Sequence, residues 1–317
     1  MVEGQEGVTW LEWMEIASTC ERYGFDGLFR SDHYQSLRAN VSSGSLDAWT
    51  VIAALATQTK QIRLGTLVSP VTFRHPAVLA KSVAAVDHIS GGRVEVGLGA
   101  GWYEREHSTF GIAFPSNSKR LDILSEQVEI IYRLLDRHET QVTFHGTYYH
   151  LEECEALPVP LQDPRPPLIL GGQAGPRASR LAARWANEYN VLFWGSTACR
   201  EARHRLDDAC NEVGRDPSTL TMSLMTGAVI GTTTHEVELQ VRSLMDYAGE
   251  SGSVAAYTEY LRGRGWIVGQ TNEVLEQLAL LANAGVTRVM LQMAPYNYVE
   301  NIELLGSEIV TEAATTY

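Results

Sequence analysis

The feature that most restricts the fold of this chain is the regular change of hydrophobic period along it. Short apolar runs of strand length fall at 25–29, 62–68, 94–98, 167–170, 189–193, 220–225 and 286–292. Between them, apolar residues recur every three to four positions at 9–23, 51–55, 76–89, 121–135, 177–185 and 197–213, which is a helical period. Strands separated by helices of that length are joined by crossovers and pair in parallel. The expectation is an α/β fold, a (β/α)8 barrel with insertions in the βα loops, with an open doubly wound sheet as the alternative. A chain of 317 residues fits one such domain over 1–317.

Two stretches interrupt the alternation. Residues 142–149 read as a hairpin, followed by a loop carrying Pro158, Pro160, Pro164, Pro166 and Pro167. Residues 234–266 hold two helical pieces around a Gly/Ser break, expected to cap the barrel mouth. The start is also unusual, because Met1, Val2 and Glu3 are all that precede the first glycine loop. A closed barrel needs every strand, so the first strand is expected to be very short or truncated.

A formal net charge of -13 argues against a nucleic-acid partner, which would need a concentrated basic face. It does not oppose an anionic cofactor held by backbone N–H groups and one or two arginines. Four cysteines without a CxxC pair suit a reduced, cytoplasmic protein, and no apolar run reaches membrane-spanning length. There is no HExxH zinc motif and no GxSxG elbow, so neither metal nor serine-hydrolase chemistry is expected.

Chemistry in a barrel sits where strands end. Ser31-Asp32-His33 follows the 25–29 strand, and His33 can exchange a proton near neutral pH while Asp32 fixes its tautomer. The competing assignment has Asp32 capping a turn and His33 packing against Tyr34 and Trp49. Gly65-Thr66-Leu67-Val68-Ser69-Pro70 ends the next strand, and Gly97-Leu98-Gly99-Ala100-Gly101-Trp102-Tyr103 the one after. The latter is a GxGxG spacing, not a dinucleotide fingerprint, but it lets a flat ring approach the backbone with Trp102 and Tyr103 available for stacking. Gly171-Gly172-Gln173-Ala174-Gly175 before Arg177 and Arg180 is a candidate phosphate site at a helix start, and Gly269-Gln270-Thr271 a weaker one. Each of these glycine runs also reads as an ordinary turn.

Taken together, residues 24–33, 72–81, 98–102 and 170–172 resemble the bacterial-luciferase-like superfamily of flavin and deazaflavin oxidoreductases. The resemblance implies a homodimeric barrel that binds coenzyme F420 or FMN. It further implies a non-proline cis peptide near Leu67-Val68 behind the ring, a cofactor site at Thr66, Leu67, Val68, Gly99 and Gly101, and a phosphate loop at Gly171, Gly172 and Gln173 with Arg177. Catalytic roles fall on Asp32 and His33. In the sugar-phosphate dehydrogenase branch a glutamate follows the fourth-strand glycines; Trp102 replaces it here, and Glu104 and Glu106 are displaced from it. The substrate implied is a small apolar or aromatic organic molecule, with F420 as hydride carrier. Alternatives are an FMN-dependent monooxygenase using O2 and reduced flavin from a partner reductase, and a flavin-binding module without catalysis.

Overall fold

The computed structural model describes residues 1–38, 43–292 and 297–311. Its strands in chain order are β1 (Gly27–Arg30), β2 (Arg63–Thr66), β3 (Ser69–Pro70), β4 (Val94–Gly99), β5 (Gln141–His145), β6 (His150–Glu155), β7 (Leu168–Gly171), β8 (Glu188–Leu192), β9 (Thr221–Gly231), β10 (Ile267–Gln270) and β11 (Arg288–Gln292). The helices are α1 (Trp10–Arg22), α2 (Ala48–Gln58), α3 (Pro76–Ser90), α4 (Glu104–Phe110), α5 (Asn117–Leu134), α6 (Pro176–Trp185), α7 (Ser196–Glu212), α8 (Thr234–Ala248), α9 (Val254–Gly263), α10 (Thr271–Ala282) and α11 (Tyr298–Leu305). No helix among the described residues is long and apolar enough to cross a membrane.

Parallel pairing runs β1-β2-β4-β7-β8-β9, and β11 joins β9. Val2 closes the ring: it forms a parallel bridge with Arg30, while the Met1 amine donates to the Leu291 carbonyl at 2.9 Å. Met1 and Val2 thus stand in the first strand's place between β1 and β11 of the (β/α)8 barrel. β4 is buried along its whole length, which explains why it reads as an unbroken apolar run despite Glu95.

Helix starts follow the side chains. Thr9 and Glu12 form a capping box on α1, Asp47 accepts from the Thr50 amide at 2.9 Å on α2, and Pro76 opens α3. The strand expected at 62–68 is split. β2 pairs with β4 at Gly65↔Glu95 and β3 at Ser69↔Leu98, so the register slips by one residue between them, where the Leu67-Val68 peptide is cis.

Inward-facing residues stack in layers. At the bottom, Glu95 accepts from Arg63 and from Arg288 (2.6 Å), and Arg288 also meets Glu188 at 2.7 Å. Above them Phe29, Leu67, Ile169, Met225 and Met290 form an apolar layer. It separates the ion cluster from the C-terminal end of the barrel.

The first insertion is longer than expected, with β5 and β6 pairing antiparallel over 141–155. Glu126 of α5 holds the tip by accepting the Thr147, Tyr148 and Tyr149 amides at 2.7, 2.9 and 3.1 Å. In the second, β9 outruns its neighbours and β10 pairs with its last four residues. Here α8 and α9 pack on that extension through Val229, Val241, Leu244, Leu261 and Val268. This unit lies at the C-terminal end of β9; none of its described residues lines the cavity below, and its α8 meets the segment after β1, where Arg38 donates to the Tyr247 carbonyl at 2.9 Å.

Candidate functional site

A cavity of about 830 Å³ opens at the C-terminal strand ends. Val68 forms its floor, supported by two glycines. A Cβ on Gly99 would come within 2.6 Å of the Val68 Cγ2, and one on Gly171 within 3.1 Å of its Cγ1. Only glycine leaves Val68 its place, which is the physical reason for these residues at the ends of β4 and β7. Leu121 and Leu124 of α5 and Leu181 of α6 give an apolar wall; Trp102 and Phe193 stand on other sides.

His33 faces the cavity from the segment after β1. Its Nδ1 lies 2.9 Å from the Glu106 Oε2, a carboxylate with no solvent exposure. The other Glu106 oxygen accepts from the backbone N–H groups of Tyr34 and, at 3.3 Å, Gln35. Burial opposes charge on the imidazole and is the largest single influence. The hydrogen bond and charge of Glu106, with smaller help from Glu3 and Asp32, outweigh it and raise the His33 pKa. Trp102 and Tyr103 flank the ring edge-on, with centroids 5.9 and 6.1 Å away.

Asp32 is not the partner of His33. Its carboxylate is buried outside the cavity, taking bonds from Arg74 (2.5 and 3.3 Å) and from the Ser69 hydroxyl (2.6 Å). Arg74 also bonds Asp47 at 2.6 Å, so Asp32 and Asp47 tie the segment after β1 to the one after β3. The expectation that Asp32 fixes the tautomer is corrected: Arg74 has taken its charge, and the imidazole turns to Glu106. Thr66 is likewise fully buried beneath the site, donating to the Gly97 carbonyl at 3.1 Å.

The far end of the cavity holds Gly171, Gly172, Gln173, Gly175 and Arg177. The loop is fixed at Ala174: its N–H donates to the Tyr189 hydroxyl (2.9 Å), and its carbonyl accepts from Ser179 (3.1 Å) and Arg205 (3.0 Å). Gly175 caps α6 without a side-chain bond, leaving the first amides of the helix for an anion. Arg177 sits at the rim, half exposed, and pairs with Asp122 of α5. Gly269-Gln270-Thr271 has a different role. Gln270 caps α10 with Glu273, and none of the three lines the cavity.

The structure thus brings His33, Leu67, Val68, Gly99, Gly101, Gly171, Gly172, Gln173 and Arg177 to one cavity and leaves Asp32 and Thr66 behind its wall. Sequence reasoning named Glu106 only as displaced from the family's glutamate and gave it no role. Nor did it give one to Glu3, which lines the same cavity and accepts from Gln292 and Gln5, both at 2.5 Å. Among the described residues, no three side chains of metal-ligating type come together.

A parallel barrel with its cavity at the strand C-termini, floored by a glycine-backed bulge, is the build of a ligand-binding α/β-barrel. The chain belongs to the luciferase-like monooxygenase family, whose profile it matches over residues 2–307. It is 34% identical over 180 residues to an F420-dependent glucose-6-phosphate dehydrogenase of Nakamurella multipartita, covering 56% of this chain and 51% of that one. It is 29% identical over 174 residues to the 4-hydroxyprotoasukamycin monooxygenase of Streptomyces nodosus subsp. asukaensis, covering 54% and 44%. These matches span about half the length of the curated relatives or less. Among solved structures, an F420-dependent secondary alcohol dehydrogenase with an F420-acetone adduct superposes with a TM-score of 0.81 at 21% identity, covering 98% of this chain and 97% of that one. The FMN-bound oxygenating constituent of 3,6-diketocamphane monooxygenase from Pseudomonas putida gives 0.77 at 19%, covering 98% and 97%. At those identities the likeness is one of fold. The superfamily contains both F420-dependent oxidoreductases and FMN-dependent monooxygenases, and this chain is homologous to catalytic members of it.

Proposed function

We propose that this protein is a coenzyme F420-dependent oxidoreductase that moves hydride between the deazaflavin and a small apolar or aromatic organic substrate. The observation that carries the reading is the cavity's polarity. It has a side-chain-free floor around Val68, an anion-ready helix start at one end, and His33 backed by a buried carboxylate at the other. These residues fit a flat tricyclic ring with one phosphate: Gly99 and Gly171 cradle Val68, and the α6 amides with Arg177 would hold the anion.

When bound, the cofactor supplies a two-electron hydride donor or acceptor. His33 provides or takes the accompanying proton, so a carbonyl gains hydride on carbon and the His33 proton on oxygen, and an alcohol loses both in reverse. Trp102, Phe193 and the leucines of α5 and α6 keep water away and favour apolar substrates. A sugar phosphate is disfavoured: of the described cavity residues, Arg177 is the only arginine or lysine, and Asp122 already pairs with it.

A second reading, an FMN-dependent monooxygenase using O2 and a reductase's reduced flavin, is favoured by that single guanidinium. It matches one phosphate better than a polyanionic tail. The monooxygenase among the relatives supports it too. A flavin-binding module without catalysis has no use for the His33–Glu106 pair. The proposal also includes one barrel domain, a homodimer and a cytoplasmic setting; a 35.0 kDa species across micromolar concentrations in sedimentation equilibrium rejects the dimer.

The test is fluorescence titration of the apoprotein with F420 and with FMN, followed by single turnover. Binding of F420 with hydride transfer and no O2 uptake is expected. FMN binding with O2 uptake selects the second reading, and binding of neither overturns both. His33→Asn should slow the proton-coupled step by roughly 10²–10⁴-fold while leaving cofactor affinity nearly intact; unchanged turnover removes His33 from the chemistry.

A further inference from the structure

Glu106 stands on α4, a helix of seven residues, and is fully buried beside the turn that carries His33. It reaches this turn three times: at the His33 imidazole, at the Tyr34 amide and at the Gln35 amide. The amide bonds fix the carboxylate against the backbone, so the ring at 2.9 Å is held by a group that cannot swing away. The His33 Nε2 has no bond within the described residues, while the ring itself lines the cavity. One nitrogen is thus committed to the protein and the other is turned to whatever enters.

The charges around His33 come from three elements. Glu106 approaches from α4, Glu3 from the segment after Val2, and Asp32 from the segment after β1. Asp32 is neutralised by Arg74. Glu3 spends its oxygens on the amides of Gln5 and Gln292. Glu106 is the one in direct contact with the imidazole.

We propose that Glu106 is the positioning residue for proton transfer in this site, orienting His33 through Nδ1 and holding a proton on the ring so that Nε2 faces the substrate. The assignment rests on the reading of His33 as the proton-transfer residue. It differs from an Asp-His arrangement in placing the orienting carboxylate 73 positions away in the chain. Glu106 touches neither substrate nor cofactor in this scheme. It acts through the ring.

The test uses the full chain without cofactor, so it does not depend on which cofactor binds. The imidazole of His33, assigned by its absence in His33→Asn, is titrated by NMR in the wild type, in Glu106→Gln and in Asp32→Asn. Glutamine keeps one carbonyl oxygen for the Tyr34 and Gln35 amides, removes the charge and puts an NH2 donor where the acceptor faced Nδ1. A charge-assisted bond to a buried group supports the expectation that Glu106→Gln lowers the His33 pKa by about 1–2 units, a 10- to 100-fold change in proton affinity. Asp32→Asn should move it much less. The same Glu106→Gln shift should appear in the acid-base limb of the pH–rate profile, with KM little altered. Equal shifts in the two variants, or none in Glu106→Gln, overturns the assignment. If Glu106→Gln fails to fold, Glu106→Asp, which keeps the charge on a shorter arm, should retain the raised pKa; a fall to the ordinary histidine value in that variant also overturns it. Unchanged turnover in His33→Asn, with the NMR shift intact, would instead overturn the reading of the reaction.

Discussion

Substituting alanine at each glycine around the Val68 bulge gives a graded test of how the cavity floor is built. At Gly97 the new Cβ would collide with the Thr66 carbonyl oxygen, which is backbone and cannot step aside. At Gly99 it would meet the Val68 Cγ2 at 2.6 Å, about 1 Å inside ordinary contact between carbons. At Gly171 the nearest atom is the Val68 Cγ1 at 3.1 Å, a contact that a few tenths of an ångström relieves. Overpacking of a filled interior costs about 1–3 kcal/mol, so Gly99→Ala should fall in that range, Gly171→Ala near or below its lower end, and Gly97→Ala above it. Val68→Ala removes the atoms struck at Gly99 and Gly171 but not the carbonyl struck at Gly97. Urea denaturation of the singles and doubles should therefore show Val68→Ala offsetting most of the Gly99→Ala loss, a coupling of at least about 1 kcal/mol, with little rescue of Gly97→Ala. Additive Gly99 and Val68 effects, or equal losses at all three glycines, would refute the argument that close approach to Val68 is why glycine stands there.

Other consequences are open to the same kind of measurement. Arg177→Met should weaken binding of a phosphate-bearing cofactor by only about 1 kcal/mol, since the guanidinium is half exposed and already paired, and Asp122→Asn should tighten it by a similar amount; titration calorimetry giving the same sign for both would exclude that competition. Arg288→Met leaves Glu95 and Glu188 buried without their shared cation and should cost about 3–5 kcal/mol in urea denaturation, whereas a loss below about 1 kcal/mol would mean the cluster relaxes. The His33 pKa is raised in the folded state, so its stabilising contribution is complete below the unfolded value and fades as pH rises through the folded one. Wild-type stability should accordingly fall relative to Glu106→Gln as pH climbs from about 6.5 upward; parallel stability–pH curves for the two proteins would contradict the linkage.

The barrel was legible because its determinants are local. A strand buried on both faces is largely apolar, as β4 is apart from Glu95, and a helix covering it must carry one apolar stripe. Elements that depend on distant pairing were harder to see. β10 has four residues and exists because β9 extends past the barrel to meet it. The split between β2 and β3 depends on a one-residue slip against β4, which leaves no mark in the hydrophobic pattern.

The site divides along the same physical line. His33 could be found from its place after a strand, and Gly99 and Gly171 from the need for bare backbone; both are properties of a residue and its immediate neighbours. Which carboxylate meets which cation is not. Asp32 adjoins His33 in the chain, yet Arg74, 42 positions on, captures it, and Glu106, 73 positions on, takes the imidazole. The local signal around Glu106 even points the other way, because Glu104-Arg105-Glu106-His107 reads as a charged surface turn while Glu106 and His107 are buried. Burial of two titratable residues side by side on one short helix is expensive unless each is paired. His107 meets the Tyr103 carbonyl and the Thr72 hydroxyl, at 2.8 and 2.6 Å, and Glu106 meets the His33 turn. α4 therefore earns its place in the fold through polar contacts with the segments after β1 and β3, the two that carry His33 and follow the Val68 bulge. A change that loosens α4 should disturb the proton-transfer end of the cavity before it disturbs the phosphate end, whose loop is held separately by Tyr189, Ser179 and Arg205.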